Sequence, residues 1–208
     1  MLISTDASGL KQAVLAIKKG DLIAFPTDTY FALGADGLNI KAVQNVFATK
    51  GRNSGTPVPL LVSDSEMAES LCTKFPEPLR KLADSFWPGA LTIVMPAANK
   101  VPAVVTANTG TVGVRVPDHA ITRKIIELAG VPITGTSCNL TGRDPVKDAI
   151  FVDQIFGDII AGCVDAPCGD SSSPSTVVSY VDGEIVLLRT GAIGAESIEN
   201  IVGDIIAS

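Results

Sequence analysis

One short segment of the sequence carries two cations suited to binding phosphate. Lys50-Gly51-Arg52 lies at the predicted end of a helix, where the glycine lets the chain turn so that both side chains can converge. A lysine ammonium is a compact charge and an arginine guanidinium is a planar fork, and both bind phosphate oxygens. The alternative is that the two cations only complement the helix dipole, and the segment alone does not decide between these interpretations.

Two further segments bring hydroxyl, carboxylate and amide groups to the ends of predicted strands. Pro26–Thr29 follows the apolar run Leu22–Phe25, and Thr136–Asn139 follows another. In an extended chain Ser137 and Asn139 would point to the same side, and a hydroxyl beside an amide can bind phosphate, ribose or a carboxylate. The alternative for both segments is a turn, because these residue types also hydrogen-bond to turn amides.

Three arginines have unusual sequence neighbours. Arg115 lies inside the apolar run Thr111–Val116, Arg189 follows Val186–Leu188, and Arg143 follows a Thr-Gly pair. An arginine within or at the end of an apolar strand needs an anionic partner, either an internal Asp or Glu or a bound phosphate. Neither G-x-x-x-x-G-K-[ST] nor G-x-G-x-x-G occurs, so any phosphate site must be assembled from these separate groups. The pattern favours a small phosphorylated ligand over a polymer.

The composition excludes several classes of function. The chain has 16 Lys and Arg against 22 Asp and Glu, a formal net charge of −6 and a pI of about 4.7, so it has no diffuse attraction for nucleic acid. The single histidine, His119, excludes a multi-histidine metal site, and the four cysteines form no C-x-x-C pair, which favours reduced thiols in the cytoplasm. No apolar run approaches the roughly 18–20 residues of a membrane span, and the N-terminus lacks the pattern of a signal peptide.

Hydrophobic periodicity predicts one domain in which helices and strands alternate. The 208 residues are 46% hydrophobic, enough for one sizeable core. Helices are predicted at 7–19, from Asn39 to Lys50, and at 64–72, 77–86, 119–129, 146–156 and 195–206. Strands are predicted at 22–25, 59–62, 90–95, 111–116, 131–134, 159–164, 175–181 and 184–189. The alternation indicates an α/β or α+β sheet with helices packed on it, and the polar stretch Gly162–Ser175 is predicted to be a surface loop that can act as a lid.

Seven blocks of the sequence resemble the motifs of the YrdC-like family, in the family's order, within about residues 9–193. They are Phe25–Asp36 (F-P-T-[DE]-T-V-Y-G-L-G-A-[DN]), Lys50–Arg52 (K-x-R), Phe86–Thr92 (W-P-G-P-L-T), Val112–His119 (V-A-V-R-[VM]-P-D-H), Thr136–Gly142 (T-S-A-N-L-S-G), Pro174–Val177 (P-S-T-[VI]) and Leu188–Ile193 (L-R-P-G-[AP]-[IF]). Seven ordered blocks are a highly specific signature.

The resemblance implies a fold and an activity. The implied fold is a single α/β domain over residues 1–208, with a twisted open mixed sheet, flanking helices, a concave basic cavity and no extra C-terminal domain. The implied reaction joins L-threonine, bicarbonate and ATP, with Mg²⁺ on the triphosphate, into threonylcarbamoyl-adenylate and pyrophosphate. The implied context is modification of adenosine 37 of cytoplasmic tRNA, where a protein complex consumes the adenylate. The alternative is a non-enzymatic module that binds tRNA or double-stranded RNA or regulates translation.

The resemblance also implies roles for individual residues. Lys50 and Arg52 match the K-x-R positions and are implied to be catalytic and to hold the ATP phosphates. The other implied ATP-binding residues are Thr111, Ser137, Asn139, Arg143 and Arg189. The implied L-threonine-binding residues are Thr27, Arg115 and Ser175, and no metal-ligating residue is implied. Tyr30–Ala32 stands where the pattern has V-Y-G, so the pocket wall is expected to differ there.

One further expectation concerns the place of the two cations in the fold. Lys50 and Arg52 are predicted to lie at exposed ends of elements. Replacing either by alanine is therefore expected to abolish adenylate formation while leaving the fold intact.

Overall fold

The computed structural model describes residues 1–51, 55–140 and 144–207. In these ranges the helices are α1 (Ala7–Lys19), α2 (Ile40–Lys50), α3 (Ser65–Ser70), α4 (Glu77–Phe86), α5 (Ala103–Thr106), α6 (Ala120–Ala129), α7 (Ala149–Phe156) and α8 (Ala195–Val202). The strands are β1 (Leu2–Ile3), β2 (Ile23–Phe25), β3 (Ala32–Gly34), β4 (Leu60–Leu61), β5 (Leu91–Pro96), β6 (Thr111–Arg115), β7 (Ile133–Thr134), β8 (Thr136–Ser137), β9 (Gly162–Val164), β10 (Thr176–Val181), β11 (Glu184–Arg189) and β12 (Ile205–Ala207).

Local capping explains where the principal helices begin and end. The Asp6 carboxylate accepts from the Gly9 amide at the start of α1, and Asn39 accepts from the first amides of α2. Gly20 and Gly51 follow the two helices with φ of 84° and 58°, values that glycine adopts without a steric penalty. The observed bounds of α1 and α2 match the predicted ones.

The strands form two mixed sheets. A five-stranded sheet has the order β1-β9-β2-β3-β8, and a seven-stranded sheet has the order β12-β11-β10-β5-β6-β4-β7. Each sheet combines parallel pairs, such as β1 with β9 and β10 with β5, with antiparallel pairs, such as β2 with β3 and β5 with β6. The predicted mixed α/β architecture with flanking helices is confirmed, and its strands are divided between two sheets.

The helices cover the sheets unequally. One apolar cluster packs α1 and α6 on the five-stranded sheet, through residues such as Ile17, Ile126 and Phe25. Another cluster packs α2 and α7 on the same strands, through residues such as Val46 and Phe156. On the seven-stranded sheet, α4 and α8 share a core with alternate strand residues, namely Leu91, Ile93, Val112, Val114 and Val178. The other residues of those strands face the opposite side, where the cavity described below lies.

The chain passes from the seven-stranded to the five-stranded sheet at Gly135. This glycine separates β7 from β8, and a Cβ built on it would lie 2.6 Å from Leu61 Cγ, in the buried side chain of β4. The crossing therefore brings the two sheets into contact only because residue 135 has no side chain.

Replacing Gly135 by alanine is expected to lower the free energy of unfolding by about 1–3 kcal/mol, because the added methyl group overpacks Leu61. Urea denaturation of the variant measures this change. The double variant Gly135→Ala/Leu61→Ala should lose less than the sum of the two single losses, because removing the leucine relieves the clash. Strictly additive losses would contradict the proposed contact.

The predicted C-terminal helix over 195–206 is wrong after Val202. Helix α8 ends at Val202, and Gly203 follows with φ 84° and ψ −156°, outside the helical region. The chain then forms β12, which pairs in parallel with β11 through Ile185 and Ile205. The short apolar run at 205–207 is compatible with a helix or a strand. It forms a strand because Gly203 ends the helix and β11 provides a pairing partner.

Candidate active site

A cavity of about 660 Å³ lies between the turn that joins β2 to β3 and the uncovered face of the seven-stranded sheet. On β6 the residues at odd positions, Thr111, Gly113 and Arg115, line the cavity, whereas Val112 and Val114 are in the core. Polar lining residues also come from other elements: Thr27, Thr29, Tyr30, Thr92, Ser137, Ser175 and Arg189. Six of the sequence-predicted site residues therefore line one cavity, namely Thr27, Thr111, Arg115, Ser137, Ser175 and Arg189.

The cavity is basic in an acidic chain. Among the described residues its lining contains the guanidinium groups of Arg115 and Arg189 and no Asp or Glu. The net charge of the chain is −6, so cations are concentrated here against the overall balance. Such a pocket favours an anionic ligand of small size.

Arg115 is held by a network that leaves it buried. It is 6% exposed; its Nε donates to the Gly89 carbonyl oxygen at 2.9 Å, and its Nη2 donates to Asp28 Oδ1. The same Asp28 oxygen accepts from the Asp118 amide at 3.2 Å. Burial lowers the pKa of Arg115, although the negative charge of Asp28 acts in the opposite direction. Of the two anionic partners expected for Arg115, an internal carboxylate and a bound phosphate, the structure shows the first, Asp28.

Arg189 lies on the opposite side of the cavity and contacts neutral groups. Its Nε and Nη2 donate to the Ser175 carbonyl oxygen at 3.1 and 2.7 Å, and Nη2 also reaches Ser175 Oγ at 3.0 Å. Ser175 Oγ in turn lies 2.9 Å from Thr92 Oγ1. Partial burial and then the positive charge of Arg115 lower the pKa of Arg189. No carboxylate of the described ranges forms an ion pair with Arg189, so its charge is available to an anion bound in the cavity.

Lys50 joins helix α2 to the segment after β8. Its ammonium donates to the Ser137 carbonyl oxygen, to the Asn139 carbonyl oxygen at 2.7 Å and to Asn139 Oδ1 at 3.0 Å. Ser137 Oγ donates to Asn139 Oδ1 at 2.6 Å. The predicted proximity of Ser137 and Asn139 is therefore observed, and Lys50 lies with them.

The expectation that Lys50 is exposed is wrong. The side chain is last in its helix, but the residue is only 4% exposed because it reaches under the Ser137–Asn139 segment. An ammonium has three N–H donors, and three acceptors are named above. Removing it would leave half-buried acceptors on Ser137 and Asn139 without that donor, so a substitution here is expected to affect stability as well as activity.

Thr27 stabilises the turn between β2 and β3 and also lines the cavity. Its hydroxyl accepts from the amides of Thr29 and Tyr30 at 3.1 and 3.2 Å and donates to the Tyr30 carbonyl oxygen at 2.8 Å. Thr29 Oγ1 lies 3.0 Å from Thr27 Oγ1 and 3.5 Å from Arg115 Nη1. The turn interpretation of this segment is therefore correct, and the same turn places its hydroxyls beside Arg115.

Three residues predicted to bind ATP remain, and the structure describes one of them. Thr111 lines the cavity, with its hydroxyl 3.0 Å from Thr109 Oγ1. Arg52 and Arg143, predicted to bind ATP phosphates, lie outside the described residues. Thr92 lines the cavity and was missed by the sequence analysis; its alternation with the apolar residues of β5 was the available signal.

Nucleophilic catalysis by a cysteine or a serine has no support in the site. Burial raises the pKa of Cys138 to about 12 and that of Cys168 to about 11, so both remain neutral thiols near pH 7. Ser137 Oγ bonds to Asn139, while His119 caps α6 and its Nε2 lies 3.0 Å from the Pro167 carbonyl oxygen. The polar groups are instead suited to binding and orienting a charged ligand.

The described parts of the chain contain no group of three or more His, Cys, Asp or Glu side chains arranged to hold a metal ion. Within the same ranges, none of the helices combines the length and the apolar character needed to traverse a bilayer.

Known proteins similar to this chain carry one recurrent description. A Pyrococcus abyssi protein described as threonylcarbamoyl-AMP synthase is 38% identical over 189 residues, which are 91% of this chain and 56% of that protein. A Bacillus subtilis protein of the same description is 36% identical, over 98% of this chain and 59% of the relative. One from Marinobacter nauticus is 34% identical, over 84% of this chain and 90% of the relative. The chain thus spans little more than half the length of the first two relatives.

Solved structures reproduce the fold. A crystal structure of P. abyssi Sua5 complexed with L-threonine superposes with a TM-score of 0.96 at 35% identity, covering 100% of this chain and 62% of that one. E. coli YciO superposes with a TM-score of 0.82 at 22% identity, covering 95% of this chain and 98% of that one, and so supports the fold alone. Residues 15–191 match the model of the Sua5/YciO/YrdC family, which is described as "Telomere recombination". The chain belongs to the Sua5/YciO/YrdC family.

Proposed function

We propose that this chain is a threonylcarbamoyl-AMP synthase, which joins L-threonine, bicarbonate and ATP into threonylcarbamoyl-adenylate and pyrophosphate. The observation that supports this most strongly is the cavity itself: it combines two guanidinium groups with several hydroxyls, and its described lining has no carboxylate. A volume of about 660 Å³ is within the range of sites for small ligands. The description shared by the relatives points to the same reaction.

The chemistry needs positioning and charge stabilisation rather than a protein nucleophile. The amine of L-threonine and bicarbonate form a carbamate and release water. A carbamate oxygen then attacks the α-phosphorus of ATP, the bond between the α-phosphorus and the bridging oxygen breaks, and pyrophosphate leaves. Both partners of this step are anions, so cationic groups that neutralise them and hold them in line accelerate it.

The nucleotide would occupy the part of the cavity near Ser137 and Arg189, with Lys50 behind it. Arg189 would contact phosphate oxygens directly, since its described partners are neutral. Lys50 would hold the Ser137–Asn139 segment in the shape that receives the triphosphate, and Thr111 would line the same region. Arg52 and Arg143 belong to this assignment by their motif positions alone.

L-Threonine would bind at the end of the cavity formed by Thr27, Arg115 and Ser175, and Ser175, whose hydroxyl accepts from Arg189 at 3.0 Å, would lie where the two ligands meet. Arg115 would contact the substrate carboxylate, while Asp28 fixes the orientation of the guanidinium from the other side. The relative from P. abyssi was crystallised with L-threonine, which supports an amino acid as substrate.

Mg²⁺ would enter as part of the nucleotide substrate, bound to the triphosphate. The donor set fits a metal carried by ATP better than a resident ion, because the described residues offer no cluster of metal-ligating side chains. The metal would neutralise phosphate charge during the transfer. In the proposed setting the enzyme works in the cytoplasm, and a tRNA-modifying protein complex consumes the adenylate.

The alternative function is binding of tRNA or double-stranded RNA without catalysis. The net charge of −6 disfavours it as the main role, because affinity for a polyanion depends on many phosphate contacts from basic groups. A weak additional contact with tRNA is compatible with the synthase proposal.

The test is pyrophosphate release by the purified protein with ATP, Mg²⁺, L-threonine and bicarbonate, each omitted in turn. We expect release only when all substrates are present. Release that does not require L-threonine, or no release together with RNA binding that falls steeply with salt, would contradict the synthase proposal.

A further inference from the structure

Residues 165–174 connect the two sheets along the edge of the cavity. The segment begins after β9, runs beside the turn between β2 and β3, and ends at Pro174, which lines the cavity next to Ser175. The Gly169 amide donates to the Thr27 carbonyl oxygen at 2.9 Å. A Cβ on Gly169 would lie 2.6 Å from the Asp28 carbonyl oxygen, so only glycine allows this approach without a shift.

Two side chains from outside the segment bind its carbonyl groups. The Tyr30 hydroxyl donates to the Ser172 carbonyl oxygen at 2.5 Å. The Lys147 ammonium donates to the carbonyl oxygens of Gly169 and Ser171 at 3.1 and 2.6 Å, and lies 5.5 Å from the centre of the Tyr30 ring. We call these two side chains with the three carbonyl groups the clasp.

The family pattern has no tyrosine at the position of Tyr30. Tyr30 occupies the position where the pattern has valine, a side chain that cannot donate a hydrogen bond. The tyrosine ring lines the cavity, so it contributes to the wall and anchors the segment at the same time.

The clasp lies at the end of the cavity that we assign to the amino acid. Tyr30 directly follows the Thr27–Thr29 turn, and the anchored segment leads into Ser175, whose hydroxyl contacts Thr92 and Arg189. An anchored segment keeps Ser175 and the neighbouring cavity wall in one conformation. An unanchored segment samples more conformations, so binding of a ligand costs more conformational entropy.

We propose that Tyr30 and Lys147 are positioning residues that hold segment 165–174 against the β2–β3 turn and thereby keep the amino-acid end of the cavity closed around its substrate. The effect on L-threonine rests on the proposed function, whereas the anchoring of the segment does not. The clasp then sets the fraction of molecules in which the segment is closed. A variant that lowers this fraction lowers the apparent affinity for L-threonine by the same factor.

The test compares Tyr30→Phe and Lys147→Met with Tyr180→Phe and Lys124→Met. Tyr180 is the second of the two tyrosines and packs on the core under α4 and α8, and Lys124 pairs with Glu127 on the outer surface of α6. Hydrogen exchange of the 165–174 peptide, followed by mass spectrometry, should become several-fold faster in the two clasp variants and stay unchanged in the two controls. Lys147→Arg, which keeps a cationic donor, should restore slow exchange.

Steady-state kinetics provide the second measurement. In Tyr30→Phe the KM for L-threonine is expected to rise about five-fold, as for one lost hydrogen bond, with a much smaller change in kcat and in the KM for ATP. Unchanged exchange in both clasp variants would overturn the anchoring. Faster exchange with an unchanged KM for L-threonine would overturn the positioning role. A wild-type protein that makes no adenylate would contradict the proposed function, while the exchange result would still decide the clasp.

Discussion

Replacing Lys50 by methionine is expected to lower the rate of adenylate formation by about 100-fold, the loss typical of misplacing the groups that position a substrate. The ammonium binds the Ser137 carbonyl oxygen and both oxygens of Asn139, so it fixes the segment that lines the nucleotide end of the cavity. Methionine keeps much of the side-chain volume and removes the charge and all three donors. The assay is pyrophosphate release under saturating substrates.

The same substitution is expected to reduce the free energy of unfolding by about 1–3 kcal/mol, because half-buried acceptors on Ser137 and Asn139 lose their donor. Lys41→Met is the matched control, since Lys41 lies on the same helix with its side chain exposed. Urea denaturation of both variants separates the two effects. Near-normal turnover in Lys50→Met would contradict the role given to this residue.

Replacing Arg115 by methionine is expected to lower kcat/KM for L-threonine by about 100-fold, as for a lost hydrogen bond between charged groups, and the free energy of unfolding by about 3–5 kcal/mol. The stability loss follows because the Asp28 carboxyl group is left in a partly buried place without its ion-pair partner. The activity loss follows because the cavity loses the guanidinium that we assign to the substrate carboxylate. Denaturation and steady-state kinetics measure the two losses independently.

The double variant Arg115→Met/Asp28→Asn separates structure from function in this pair. Removing both charges should restore much of the stability, because neither is left buried alone, and should restore none of the activity. Arg123→Met is the control, since its contact with Asp118 is a surface pair at 3.9 Å and is expected to contribute about 0–1 kcal/mol. Recovery of activity in the double variant would contradict the assignment of Arg115 to substrate binding.

Local sequence signals predicted α1 and α2 with their bounds because the ends of these helices are set by neighbouring residues. The Asp6 and Asn39 caps and the glycines at 20 and 51 act within one or two turns. The short strands β1 and β8 carry no such signal, since two-residue strands exist only through pairing with β9 and β3. The division into two sheets follows from these non-local pairs and could not be predicted from periodicity.

The sequence predicted which residues form the candidate site but not which of them contact each other. The family resemblance implied that Thr111, Arg115, Ser137 and Arg189 belong to one site, and all four line the cavity. The partners were not predictable, because the Asp28–Arg115 pair and the Lys50 contacts join residues 87 or more positions apart. That distance is also why Lys50, at the end of its helix, was expected to be exposed.

The central claim is that one cavity holds the nucleotide and the amino acid together. A crystal structure with L-threonine and a non-hydrolysable ATP analogue measures this directly. We predict the amino-acid carboxylate at Arg115, and the phosphate groups between Arg189 and the Ser137–Asn139 segment. Both ligands should lie in the cavity that Thr27, Thr111 and Ser175 line. Either ligand bound outside that cavity, or the phosphates placed away from Arg189 and Ser137, would contradict the account.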